Sequence, residues 1–272
     1  MKRLTLFLLL ITLAQQTIHA QLAGTPPPGP VSLSLGGISS PLSNSWSVFN
    51  NPAGLANHEK FDAVFAYQTI FDFKPFNTVS AAVNYHSGIG TAALGFYRFG
   101  DNLFNTTMAS LGYGGKIGII SLGAKLNYLQ YNIDGFGSKG LVLAEMGAIG
   151  EITPKFSFGM HIYNFTQSVV SAETEEKVPV IIRLSALYKL ADNLNVYAEG
   201  EKDIDEKADI KFGLSYKIIE ELVLRTGFST ETSRMSFGAG INISRITVDY
   251  ALRANETIRA THNFGLTYRF TD

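Results

Sequence analysis

The sequence has no cysteine. That excludes a disulfide framework, a thiolate nucleophile and a cysteine-based zinc site. It is also poor in charge: Asp, Glu, Lys and Arg make up 17% of 272 residues, with a net charge of −1. That is lean for a soluble chain of this length. No basic face or tail is present for a nucleic-acid partner to use. His58, His86, His161 and His262 are scattered without metal-ligand spacing, so no metal site is expected. Beyond residue 20 no apolar run approaches the roughly 18 residues of a membrane-spanning helix.

What is present begins with an export signal. Lys2 and Arg3 form a basic start, residues 4–13 an apolar run too short to span a bilayer, and Ile18-His19-Ala20 a cleavage-site pattern. Residues 1–20 are therefore expected to be a signal peptide and Gln21 the mature start. An exported chain without helical spans can still enter a membrane as a closed β-barrel, which satisfies every strand hydrogen bond internally.

Period-2 alternation supports that route. At the end of the chain, Phe264, Leu266, Tyr268 and Phe270 alternate with Asn263, Gly265, Thr267 and Arg269, giving one apolar face and one small or polar face. The same pattern recurs from residue 61 onward. It predicts an all-β fold: an antiparallel transmembrane barrel over 59–272, of about fourteen strands of roughly nine to eleven residues. Short links near His86–Gly88 (numbers 86–88), 153–154, 192–193, 220–221 and Ser244 alternate with longer ones at 74–78, 100–105, 132–139, 165–177, 203–207 and 254–260. The short links are expected on the periplasmic side and the long ones outside. Tyr67, Tyr85, Tyr113, Tyr128, Tyr188, Tyr216 and Tyr250 fall near strand ends, where an interfacial girdle sits.

Residues 21–58 lack the alternation. Pro26, Pro27, Pro28 and Pro30 cannot donate backbone hydrogen bonds, whereas Trp46, Val48, Phe49 and Leu55 supply apolar anchors that a solvated linker would lack. About fourteen strands enclose more space than side chains fill, and many lumen-facing positions are Gly, Ser or Ala. Residues 21–58 are expected to fold into the bore as a plug, or hatch.

The stretch Leu35-Gly36-Gly37 … Trp46-Ser47-Val48-Phe49-Asn50-Asn51-Pro52-Ala53-Gly54-Leu55 resembles the N-terminal signature of FadL-like outer-membrane proteins, closest to the PorV/PorQ branch of Bacteroidetes-type bacteria. Ser43 and Asn44 stand where that branch usually has acidic residues. Phe158-Gly159, Asn164-Phe165, Val178-Pro179, Val248-Asp249-Tyr250-Ala251 and Thr261-His262-Asn263-Phe264 continue the likeness. The resemblance implies a fourteen-stranded barrel with a hatch carrying Asn51, Pro52, Ala53, Gly54 and Leu55. It implies a multi-pass protein of the Gram-negative outer membrane, in contact with its lipids. Two roles follow: work with partner proteins in type IX secretion or surface attachment, or passage of hydrophobic small molecules.

Chemistry is sparse. His161, Ser157 and Asp249 all face inward by pattern, but lumen polar contacts explain them better than a hydrolytic triad. Gly238-Ala239-Gly240 lies within a strand and no helix follows it, so it is no phosphate loop. No catalytic residue or cofactor is expected. Inward charges of both signs include Lys125, Glu145, Glu199, Glu201 and Lys211, with Arg183, Arg225, Asp249 and Arg253 as the candidate lumen network. The wall reads as mostly Gly, Ser and charge. That composition favours the non-enzymatic partner-protein role, with hydrophobic transport as the alternative and a purely structural subunit as a third.

Overall fold

The computed structural model describes residues 29–58, 61–171, 176–204, 206–231, 233–254 and 259–270. The expected signal peptide, residues 21–28 and most of the acidic part of the 165–177 loop lie outside the described residues.

In chain order the strands are β1 Asp62–Thr69, β2 Thr78–His86, β3 Thr91–Gly100, β4 Phe104–Ile117, β5 Ile120–Ile133, β6 Gly137–Thr153, β7 Phe156–Tyr163, β8 Val169–Ser171, β9 Glu176–Lys177, β10 Ile181–Ala191, β11 Leu194–Asp203, β12 Asp209–Ile219, β13 Leu222–Ser229, β14 Arg234–Ile243, β15 Ile246–Arg253 and β16 Thr261–Arg269. Fourteen of them close an antiparallel barrel in sequence order, and β8 with β9 forms a separate hairpin between β7 and β10. Closure is made by β1 against β16, with Asp62 opposite Arg269 and Thr69 opposite His262. A closed barrel leaves no open sheet edge, which is what lets it stand in hydrocarbon.

The alternation places an apolar surface outside. Leu94 is 63% exposed and Phe212 54%, and Phe96, Leu111, Leu126, Phe264 and Leu266 share that face. The opposite residues on the same strands, such as Ser110, Asn127, Ser215 and Asn263, are buried. Apolar outside and polar inside is the arrangement of a barrel solvated by lipid, and the inverse of a water-soluble sandwich. No described helix is long and apolar enough to cross a membrane.

Two details differ from the sequence-based expectation. The links expected as loops at 100–105 and 132–139 are tight turns, because β4 and β5 run to 14 residues and β6 to 17. Strong pairing between β4, β5 and β6 carries these strands beyond the rest of the wall. The second difference lies beside β7, which pairs with β6 only from Met146 downward. Above that point the edge of β6 is met by loop residues. Phe165 N donates to Ala144 O at 3.1 Å, Ala144 N donates to Thr166 Oγ1 at 3.2 Å, and Ser168 Oγ donates to Val142 O at 2.6 Å. Asn164, at φ 52°, turns the chain into this patch, and its amide donates to Val178 O at 2.9 Å.

Residues 29–58 lie inside the barrel. A short helix, α1 (Gly29–Ser34), packs on β13–β16, and a 3-10 turn at Pro52–Asn57 packs on β3–β6, so the segment crosses the bore from wall to wall. Glycines on the inner wall receive it. A Cβ at Gly123 would overlap the Pro52–Ala53 backbone, and one at Gly227 would overlap the Leu35–Gly36 backbone. Main chain can approach the wall this closely only where the wall carries no side chain.

Candidate functional site

The candidate site is the lumen together with the segment that fills it, here called the hatch. Two hatch turns are fixed by the wall through hydrogen bonds. The Glu199 carboxylate of β11 accepts from Ser39 N at 3.0 Å, Ser40 N at 2.8 Å and Ser40 Oγ at 2.7 Å. Asn51 caps the 3-10 turn: its Oδ1 accepts from Ala53 N at 3.0 Å, and Pro52 follows at the first turn position, where no donor is required. The Asn51 amide then donates to Ser40 O at 2.6 Å and to Met160 O of β7 at 3.1 Å. Asn51 thus ties the turn to the rest of the hatch and to the wall at once. Pro52, Ala53, Gly54 and Leu55 are all buried, and Gly54 packs beneath Leu42 and Ser47 where a Cβ has no room.

The buried charges form one continuous belt. Lys125 Nζ donates to Val48 O of the hatch at 2.8 Å and pairs with Glu145 at 2.9 Å. Glu145 also accepts from Asn127 Nδ2 at 2.6 Å and lies 2.9 Å from His161 Nε2. His161 Nδ1 lies 3.1 Å from Arg183 Nη1. A guanidinium can only donate, so Nδ1 is the acceptor and Nε2 carries the proton toward Glu145. Arg183 Nε meets Glu201 at 2.5 Å, and Lys211 lies 2.8 Å from Glu201 and 3.6 Å from Glu199. The belt begins on the hatch at Val48, crosses β5, β6, β7, β10, β11 and β12, and returns to the hatch at Ser39 and Ser40.

Such a belt is costly to break at one link. Lys125→Met leaves Glu145 buried with too few partners, and is expected to lower unfolding stability by roughly 3–5 kcal/mol. The double variant Lys125→Met with Glu145→Gln removes both charges and should lose less than the single one. Urea titration in detergent micelles measures both. A double variant as unstable as the single would show that geometry, not charge, holds this region.

The four residues expected as one network do not meet as one. Arg183 is in the belt. Arg225 and Asp249 form their own pair at 2.7 Å across β13 and β15. Arg253 lies against Gly37 and donates to Ser236 Oγ at 3.4 Å. His161, taken up by Glu145 and Arg183, shows no contact with Ser157 or Asp249 among the described residues. No group of three or more His, Asp or Glu side chains is placed to hold a metal among the described residues. Strand parity marked Glu199, Lys125 and Glu145 as inward. What it could not show was which hatch atoms they meet, because the hatch has no period of its own.

One part of the wall departs from the expected Gly, Ser and charge. On the long-loop side of the hatch, Tyr97, Met108, Leu129, Leu143 and Tyr163 point inward and pack with Phe49, Val170, Val178 and Ile181. At this end the lumen is apolar along β3–β7 and charged along β10–β15. Tyr97, Leu143 and Tyr163 fall within the strand segments that alternation delimits, and Met108 and Leu129 lie one residue beyond them, on the longer strands β4 and β5.

Among the described residues, three cavities can be placed. One of about 200 Å³ lies in the charged half beside Asn50, Arg253 and Glu231. A second, about 720 Å³, lies at the short-turn end beneath Leu42 and beside Arg225. A third, about 610 Å³, is an apolar groove that faces outward between Tyr113, Leu122, Met146 and Met160, where lipid would lie.

The fold and this interior together define a plugged fourteen-stranded transmembrane barrel. No known family's sequence profile matches the chain, and no curated protein matches it. Solved structures do. The toluene transporter TbuX of Ralstonia pickettii superposes with a TM-score of 0.68 at 12% identity, covering 92% of this chain and 100% of that one. The toluene transporter TodX of Pseudomonas putida gives 0.69 at 10% identity, covering 92% and 99%. A FadL homologue of Pseudomonas aeruginosa gives 0.63 at 12% identity, covering 92% and 100%. At these identities the likeness is one of fold.

Proposed function

We propose that this protein is a Gram-negative outer-membrane channel for hydrophobic small molecules. The carrying observation is the apolar half of the barrel interior at the long-loop end of β3–β7, where Tyr97, Met108, Leu129, Leu143 and Tyr163 pack against Phe49 of the hatch and against Val170 and Val178 of the loop. Once the hatch shifts, such side chains give an apolar solute a surface that it exchanges for water favourably, and give a polar solute nothing. The architecture shared with proteins described as toluene transporters supports the same direction. The hatch blocks the bore, so passage requires it to shift; a non-enzymatic role follows from a site that binds and moves rather than reacts.

A second role keeps one specific observation in its favour. Leu103 is 67% exposed and Phe136 89%, on the tips of the turns that project furthest at the long-loop end. Apolar tips above the membrane suit a protein partner, as a PorV/PorQ-type role in secretion or surface attachment would require. The N-terminal motif is what supports a Bacteroidetes-type source.

Deleting the gene and following uptake of radiolabelled toluene separates the two. Uptake reduced several-fold, and restored by the intact gene, supports the channel. Unchanged uptake together with loss of surface-attached proteins would discard the channel in favour of the partner role.

A further inference from the structure

The cavity of about 200 Å³ in the charged half is lined mainly by polar and charged side chains. Most charges around it are already answered. Arg183 and Lys211 meet Glu201, and Glu145 meets Lys125 and His161. Two are not. Among the described residues Arg253 has no carboxylate within ion-pair distance and only Ser236 Oγ at 3.4 Å; Arg234 adds a second positive charge nearby, and Asp209 and Glu201 act on it from further off. Glu231, in the turn between β13 and β14, forms no ion pair among the described residues, although Lys211 lies near enough to act on it. Its carboxyl is raised from the usual range by partial burial and by Asp209 and Glu201 nearby.

A third unmet group lies on the hatch. Asn50 is 2% exposed and lines the cavity, yet neither its amide nitrogen nor its amide oxygen has a hydrogen-bond partner among the described residues. A buried carboxamide with both ends idle is costly, and such groups are ordinarily paired. Among the described residues the cavity therefore offers one positive and one negative side chain outside any ion pair, and a donor and acceptor together on one side chain.

We propose that this cavity is a binding site for a small zwitterion of the α-amino-acid type. Its carboxylate would meet the Arg253 guanidinium, its ammonium the Glu231 carboxylate, and the Asn50 amide would bond to it from the hatch. A simple anion would use Arg253 alone and a simple cation Glu231 alone, whereas a zwitterion uses both. Glu231 is exposed at the rim, so the site is reached from the long-loop end. Because Asn50 belongs to the hatch and adjoins Asn51, occupancy would bear on the hatch's seating.

Calorimetric titration of the full chain in detergent micelles tests this, with L-alanine as probe and propionate and ethylamine as its half-charged relatives. The expected result is saturable heat with alanine and at least tenfold weaker binding of either relative. Arg253→Gln and Glu231→Gln should each weaken alanine binding at least tenfold. Glu231→Gln, at an exposed position, serves as the variant certain to leave the fold intact. Propionate binding as tightly as alanine would overturn the proposal in favour of an anion site. Absence of alanine binding, or binding unchanged in Glu231→Gln, would overturn it outright. It does not depend on hydrophobic transport, and neither result alters the toluene-uptake test.

Discussion

Replacing Gly123 and Gly227 together by valine is expected to unseat the hatch while the barrel stays closed. Gly123 lies on β5 and Gly227 on β13, against the two ends of the hatch. At the first, a Cβ meets the Pro52–Ala53 backbone; at the second, the Leu35–Gly36 backbone. A long side chain could swing aside, but main chain cannot without moving the segment. Overpacking in a filled interior costs about 1–3 kcal/mol per site, and here two sites act on one short segment. The wall itself should accept valine. It suits a strand, and the cross-strand neighbours of Gly123 are Gly114 and Gly147, which leave it room. The double variant should still migrate as a folded barrel in unboiled gels. It should conduct far more than the parent in planar bilayers and be cut by protease within residues 29–58. Gly200→Val is the control, since nothing lies within 4 Å of a Cβ there. Parent-like conductance and protection in the double variant would mean that the hatch is not held against these glycines.

How much of this was legible beforehand depends on where periodicity reaches. The strand faces were legible because a transmembrane strand has a different solvent on each side, and its residue types must alternate to suit both. Ile210, Phe212 and Leu214 lie outside and Lys211, Ser215 inside, as period 2 requires. Strand ends were less so. Leu129 and Tyr131 belong to the extended top of β5, where apolar residues face inward as well and the contrast between faces fades. That is part of why the apolar half of the lumen was not foreseen. Pairing within the charged belt was legible only as a supply of both signs. Lys125 and Glu145 are cross-strand partners by register, but register cannot be read from one sequence when loop lengths are uncertain. The hatch was legible by composition alone. Its contacts are made by turns and single polar side chains such as Asn51 and Ser40, and no repeat announces them.

Glu199→Ala should produce the second large effect, again on the hatch. Glu199 is buried on β11, and one of its oxygens accepts from two main-chain N–H groups and one hydroxyl. Hydrogen bonds to a buried charge are worth about 1.5–3 kcal/mol each, and every amide left idle adds a desolvation cost of roughly 1–3 kcal/mol. Alanine removes all three acceptor contacts and leaves Ser39 N and Ser40 N facing a void. It also takes one carboxylate from Lys211, which keeps Glu201 at 2.8 Å and so remains paired. The strand ladder is untouched: Glu199 sits opposite Ser185 and Lys211, and those main-chain bonds do not depend on its side chain. The expected result is a closed barrel whose Ser39–Ser40 turn exchanges amide hydrogens at least a hundredfold faster. Glu199→Gln retains a carbonyl acceptor and should lie between the parent and the alanine variant. Packing against the wall glycines and anchoring by this carboxylate are separable causes, and the order of effects tells them apart. If alanine leaves exchange at these amides unchanged while the double valine variant opens the bore, shape alone seats the hatch and the buried carboxylate serves the belt instead.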